Sequence, residues 1–181
     1  MKRWVTFFSQ TGSEIANVAN KLVHCPDVII TNKESIDGIS NDLLKIAYER
    51  MYFLPKKPTI EEYETVFDAA GITPENSIVT LHGYLRILPS DICSKYNIVN
   101  CHPALVSHYP ELKGFDPQKR SVKYDFIGTT LHKVIAEVDE GDIISEKKIN
   151  NNFSSVEEIT YVLKLESQKL WIEFLLKSLY N

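Results

Sequence analysis

Apolar positions along the chain fall into short unbroken runs separated by amphipathic stretches. Trp4 to Phe8 is one such run, and after SQTGSEI the residues Ile15, Val18, Ala19 and Leu22 recur at helical spacing. The pattern predicts strand, loop and helix, with Ser13 and Glu14 opening the helix. Asp27–Thr31 and Ser77–Leu81 read as strands buried on both faces, residues 40–48 as a short helix and Met51–Leu54 as a strand. Pro55 and Pro58 stiffen the next connection, Thr59 and Glu62 have the form of a capping box, and Ala69-Ala70-Gly71 ends that helix. Strands alternating with helices predict an α/β fold, a Rossmann-like doubly wound and mostly parallel sheet.

The second half changes character. In NIVNCHPAL, Ile98 and Val99 lead into a polar end, and Pro103 stops the strand there. IGTTLHKVIAEVDEGDII predicts a strand with Thr130, His132 and Val134 on one face and Asp139 at its end. A turn centred on Gly141 then leads to an antiparallel strand over Ser145–Ile149, making a C-terminal hairpin. From Ser154 the chain reads as one long final helix with Ser155 and Glu158 as a second capping box. Its apolar stripe runs through Ile159, Val162, Leu163, Leu170 and Phe174, broken by Glu166. Residues 104–126 carry little pattern and are expected to form a mobile loop with about one helical turn.

Composition narrows the class without changing this outline. A length of 181 residues suits a single domain spanning 1–181, and 44% hydrophobic with 24% charged residues suits a globular protein. A net charge of −4 with both signs interspersed points to a small-molecule partner, with no nucleic acid and no membrane. Cys25, Cys93 and Cys101 are odd in number and lack metal-ligand spacing, so we expect reduced thiols, no metal and a cytoplasmic location. MKRWVTFFSQ lacks the features of a signal peptide.

The candidate chemistry lies between Asn97 and Ile144. Side chains i and i+2 of a strand share a face, so Asn100 and His102 point together and Cys101 turns away as a buried structural thiol. Joined by His132 and Asp139 they form an amide, imidazole and carboxylate set able to polarise a carbonyl, hold its oxyanion and move a proton. Gly83 in HGYLRILP gives a ligand room to approach the backbone, and the helix start at Ser13 presents N–H groups that attract an anion.

NCHPAL, the preceding LHGYLRIL and the following GTTLHKV with VDEGDII resemble the folate-dependent formyltransferases, most of all their purine-pathway members that formylate glycinamide ribonucleotide. The resemblance covers nearly the whole chain. It implies a formyltransferase fold and transfer of a formyl group from 10-formyltetrahydrofolate, as co-substrate, to a primary amine that is phosphorylated. It implies that Asn100, a protonated His102 and Asp139 are catalytic, with His132 and Gly83 supporting them. Arg86, Ile87, Leu88, Val138 and Asp139 would hold the folate. Gly12, Ser13 and Glu14 would hold the substrate phosphate end, and Glu166 its ribose. Gln10 stands where the family has glycine, Glu14 where it has asparagine, and the 104–126 segment lacks the usual histidine-rich stretch. The acceptor therefore stays open between glycinamide ribonucleotide and another amine such as a nucleotide-linked amino sugar. A catalytically silent folate-binding module and a formate-releasing hydrolase remain alternatives, as do a monomer and a homodimer.

Overall fold

The computed structural model describes residues 2–180. Seven strands form one sheet: β1 (Arg3–Phe8), β2 (Val28–Thr31), β3 (Met51–Phe53), β4 (Ser77–Leu81), β5 (Ile98–His102), β6 (Phe126–Lys133) and β7 (Ile143–Asn150). Their order is β3-β2-β1-β4-β5-β6-β7, parallel through β5 and antiparallel at β5–β6 and β6–β7. Six helices accompany them: α1 (Ser13–Leu22), α2 (Asn41–Ala47), α3 (Ile60–Ala69), α4 (Ser90–Lys95), α5 (Pro117–Ser121) and α6 (Val156–Tyr180). The expected doubly wound sheet, C-terminal antiparallel pair and long last helix are all present.

Strand alternation separates two cores. Val5 and Phe7 face α3 and α4, packing with Tyr63, Phe67 and Ile92, while Trp4 and Phe8 face Ile15, Val18, Leu43, Trp171 and Leu175. Because the chain runs outward from β1 through β3 and then returns as β4 on the other side of β1, the strand order reverses between β1 and β4. Crevices at the carboxyl ends of strands beside such a reversal are where open α/β sheets place ligands.

Local chemistry sets the ends of the elements. Thr59 and Glu62 form the full capping box expected at α3. At α6 the motif is shared differently: Ser155 Oγ accepts from the Glu158 N–H at 3.1 Å, but the Glu158 carboxylate reaches the Ser154 N–H at 2.8 Å. Gly12 enters α1 at φ 67, and a Cβ there would stand 2.3 Å from Leu43, so glycine is required both for conformation and for space.

Three expectations need correction. Helix α4 lay unpredicted in the run after Pro89, too short for periodicity to show. Asp139 does not end a strand: β6 stops at Lys133, and Asp139 sits at φ 56 in a connection over residues 134–142. This connection replaces the tight hairpin turn, and it closes with Lys133 N–H donating to the Asp142 carbonyl at 2.9 Å. A Cβ at Gly141 would lie 1.9 Å from the Lys133 carbonyl oxygen, which is why that closure needs glycine. Residues 104–126, expected as a mobile loop with about one helical turn, contain a 3-10 turn at Pro110–Leu112 and the short α5, and are tied down by packing. They pack Ala104, Val106 and Leu112 against Tyr109 and Tyr124, and the Arg120 guanidinium donates to the carbonyls of Glu111, Leu112 and Lys113.

Candidate active site

Two of the clefts at the carboxyl edge of the sheet hold the candidate residues. The first is lined by Tyr84, Arg86, Ile87, Leu88, Asn100, His132 and the 134–139 connection, including Val138 and Asp139. The second is lined by residues 10–14, His82, Gly83, Cys101, Pro103, Gln118 and, from α6, Thr160, Leu163, Lys164 and Ser167. Alternation along β5 sends Asn100 to the first and Cys101 to the second. The two cavity volumes are about 120 and 340 Å³.

Polar groups in the first cleft converge on one carboxylate. Asp139 Oδ2 accepts the Gly114 N–H at 2.9 Å and stands 3.2 Å from His102 Nδ1, while Oδ1 stands 3.4 Å from His132 Nε2. His132 donates from Nδ1 to the Lys133 carbonyl at 2.8 Å, which fixes its ring, and its Nε2 lies 3.3 Å from the Asn100 amide. Burial pushes the Asp139 carboxyl up, but the His132 hydrogen bond, the His102 charge and the Gly114 N–H outweigh it and hold it below the usual range.

His102 is buried behind Asp139 and does not line the cleft. Its Nε2 donates to the Leu112 carbonyl at 2.9 Å. Burial drives its pKa below the ordinary value in spite of Asp139, the reverse of the protonated histidine expected from the sequence. Burial is the largest influence, and the neighbouring His132 and Arg120 charges add to it against the opposing pull of Asp139. The Nδ1 proton is thus the labile one, and Asp139 is the group through which it comes and goes.

Arg86, Ile87, Leu88 and Val138 stand together in the cleft wall. Ile87 is 75% exposed and Val138 49% exposed, an uncovered apolar rim, and Arg86 Nε is buried without a partner. An apolar slot with unspent polar groups suits a flat heteroaromatic ring. Among the described residues no group of three or more His, Cys, Asp and Glu side chains could hold a metal ion. No helix there is long and apolar enough to cross a membrane.

The second cleft contains Gly12, Ser13 and Glu14, with two differences from expectation. Glu14 turns inward, accepting from Ser167 Oγ at 2.7 Å and meeting His82 Nδ1 at 2.8 Å, so its carboxylate is spent on the protein and is not offered to a ligand. Burial raises its pKa, but His82 and Ser167 outweigh that and hold the carboxyl below the usual range. Glu166 does not line the cleft. Its Oε1 takes Lys169 Nζ at 2.7 Å, its Oε2 is buried without a partner, and the next residue, Ser167, holds the place expected for it. Burial, with the Glu14 charge, pushes the Cys101 thiol up to about 12, which removes it as a nucleophile. His82, Lys164 and Ser167 were not foreseen. His82 was within reach, because it shares the face of Thr80 just before Gly83.

The sequence matches the model of the Formyl transferase family over residues 2–171. The chain belongs to this family. A phosphoribosylglycinamide formyltransferase of Dictyostelium discoideum is 29% identical over 143 residues, 69% of this chain and 69% of that protein. Two solved structures with that name share the fold. The Campylobacter jejuni protein has a TM-score of 0.81 at 22% identity, covering 99% of this chain and 98% of its own. The Streptococcus pneumoniae protein has a TM-score of 0.79 at 22% identity, with 100% of both chains covered. As a formyltransferase, this chain is an enzyme of one-carbon group transfer.

Proposed function

We propose that the enzyme transfers the formyl group of 10-formyltetrahydrofolate to the amine of glycinamide ribonucleotide, a step of purine biosynthesis. The observation that carries this reading is the first cleft, where the Asn100 amide and the Asp139 carboxylate open onto a slot walled by Arg86, Ile87, Leu88 and Val138. The folate supplies an activated formyl carbon. Everything else falls to this chain.

Asn100, steadied by His132, donates its N–H to the formyl oxygen as negative charge develops there, an interaction on the order of 3 kcal/mol in the barrier. Asp139 accepts the proton that the amine nitrogen loses on forming its bond to carbon. His102 Nδ1 receives it in turn, and the imidazolium so formed returns the proton through Asp139 to the departing folate nitrogen as the old carbon–nitrogen bond breaks. His102 is therefore neutral at the start and charged at the middle of the cycle, a sequence its buried position favours. Gly12 and Ser13 present backbone N–H groups of α1 to the acceptor's phosphate, with Lys164 Nζ 3.2 Å from Ser13 Oγ.

Incubation with 10-formyltetrahydrofolate and glycinamide ribonucleotide tests this, with loss of the formyl donor as the readout. Amine-dependent loss is expected. Loss with water alone would make the enzyme a hydrolase, and loss only with a nucleotide-linked amino sugar would move the acceptor.

A further inference from the structure

Segment 111–114 touches both members of the His102–Asp139 pair through its backbone. The Leu112 carbonyl accepts from His102 Nε2 at 2.9 Å, and two residues later the Gly114 N–H donates to Asp139 Oδ2 at 2.9 Å. A carbonyl only accepts, so the ring orientation of His102 is tied to the place of Leu112. Arg120, from α5, grips the same segment. Its Nη1 donates to the Glu111 carbonyl, and its Nη2 donates to those of Leu112 at 3.1 Å and Lys113 at 2.8 Å. Three successive carbonyls thus converge on one guanidinium, whose charge offsets their mutual repulsion. The Leu112 oxygen serves Arg120 with one lone pair and His102 with the other.

We infer that Arg120 is a positioning residue for formyl transfer: it clamps segment 111–114 so that the Leu112 carbonyl and the Gly114 N–H hold His102 and Asp139 in register. The inference rests on the proposed reading of those two side chains as the pair that moves the proton. Arg120 lines neither of the two clefts, only a surface cavity shared with Lys119, Lys123 and Tyr124, so it reaches the reaction through the segment it grips. The role calls for a fork. Two Nη atoms in one plane reach three carbonyls at once, whereas an ammonium is a point donor. Other ties on the segment fix its position more than its carbonyl directions. Leu112 packs its side chain with Ala104 and Val106, and Lys113 meets Glu140 through side chains 26% and 52% exposed, a weak anchor. The Arg120 charge also acts on His102, so charge and geometry have to be separated by experiment.

Two substitutions separate them: Arg120→Met keeps the apolar stem and loses both charge and fork, while Arg120→Lys keeps the charge alone. In Arg120→Met kcat should fall roughly tenfold to a hundredfold, and in Arg120→Lys on the order of tenfold, with the KM values of amine and folate within about twofold of wild type. Thermal melting should stay cooperative. Amide hydrogen exchange reads the clamp without substrate: Gly114 should exchange on the order of tenfold faster in both variants while the amides of β5 keep their protection. Full turnover in Arg120→Lys would assign the effect to charge and overturn the clamp. Wild-type kcat or an unchanged Gly114 amide in Arg120→Met would overturn it as well. In the His102→Ala background, Arg120→Met should cost nothing further, and an additive loss would mean that Arg120 acts elsewhere and overturn the inference. Wild-type turnover in His102→Ala would remove the reading of the pair and the inference with it, whereas an inactive His102→Ala beside a fully active Arg120→Met removes the inference alone. If Arg120→Met is insoluble, Arg120→Lys decides on the same readouts.

Discussion

Two histidine and carboxylate pairs are buried at the edge of this sheet, and they are built for opposite ends. In His102–Asp139 the separation is 3.2 Å, the carboxylate is shared with His132 and the Gly114 N–H, and burial holds the imidazole below its ordinary pKa. In His82–Glu14 the separation is 2.8 Å, Thr80 Oγ1 lies 3.1 Å from the other ring nitrogen, and the carboxylate also accepts from Ser167 Oγ at 2.7 Å. Asp139 stands among two imidazoles and a backbone N–H, while Glu14 is held by one imidazole and one hydroxyl. The first carboxylate lines the cleft that carries Asn100, and the second lines the cleft at the start of α1.

The comparison breaks most sharply at the first pair. Asn100→Ala and His102→Ala should each lower kcat on the order of a hundredfold to a thousandfold while thermal melting stays cooperative. Near wild-type turnover in either would remove that residue from the reaction. Asp139→Asn should lower the rate on the order of a hundredfold and move the acid limb of the pH profile. Here neutral His102 is the competent form, its pKa already lies below the ordinary value, and activity is lost as pH falls through it. Taking away the Asp139 charge lowers that pKa further, so the limb should shift to more acid pH; a shift the other way would contradict the neutral starting state.

Substitutions around the second pair should act on binding and stability. Trp171→Ala removes a fully buried ring beside His82 and should cost about 3–5 kcal/mol of stability in denaturant unfolding. Its surviving folded fraction should bind the amine less well and the folate as before. The smallest effect belongs to Glu166→Ala. Its partner Lys169 has a 61% exposed side chain, and such pairs contribute about 0–1 kcal/mol, so the amine's KM should change by less than about fivefold. A larger rise would return Glu166 to the acceptor.

The contrast also explains what the sequence disclosed. Asn100 and His132 were legible because a strand's two-residue period and a proline stop place them without reference to anything distant, whereas the Arg86–Leu88 run was reached only through the resemblance to the family. The role of Glu14 was not legible. A glutamate at a helix start reads as a response to the macrodipole, and only the packing of β4 and α6 against α1 reveals that it faces His82 and Ser167. Asp139 was found by motif but misplaced in shape, since Val134, Ile135, Ala136 and Val138 read as the continuation of the strand while they line a cleft. Glu166 failed for a related reason: a single helical position is about 100° of rotation, finer than stripe periodicity resolves along α6.

The pleat of β5 has one more result. Asn100 and Cys101 are consecutive, yet they serve clefts on opposite sides of the strand. On the proposed reading, donor and acceptor thus approach from two faces of one peptide, and their spacing is set by backbone geometry that no hinge adjusts. An insertion in β5 would exchange the two faces, turning a thiol toward the formyl group and an amide toward the sugar. The strand is a ruler as well as a wall, and its parity is part of the active site.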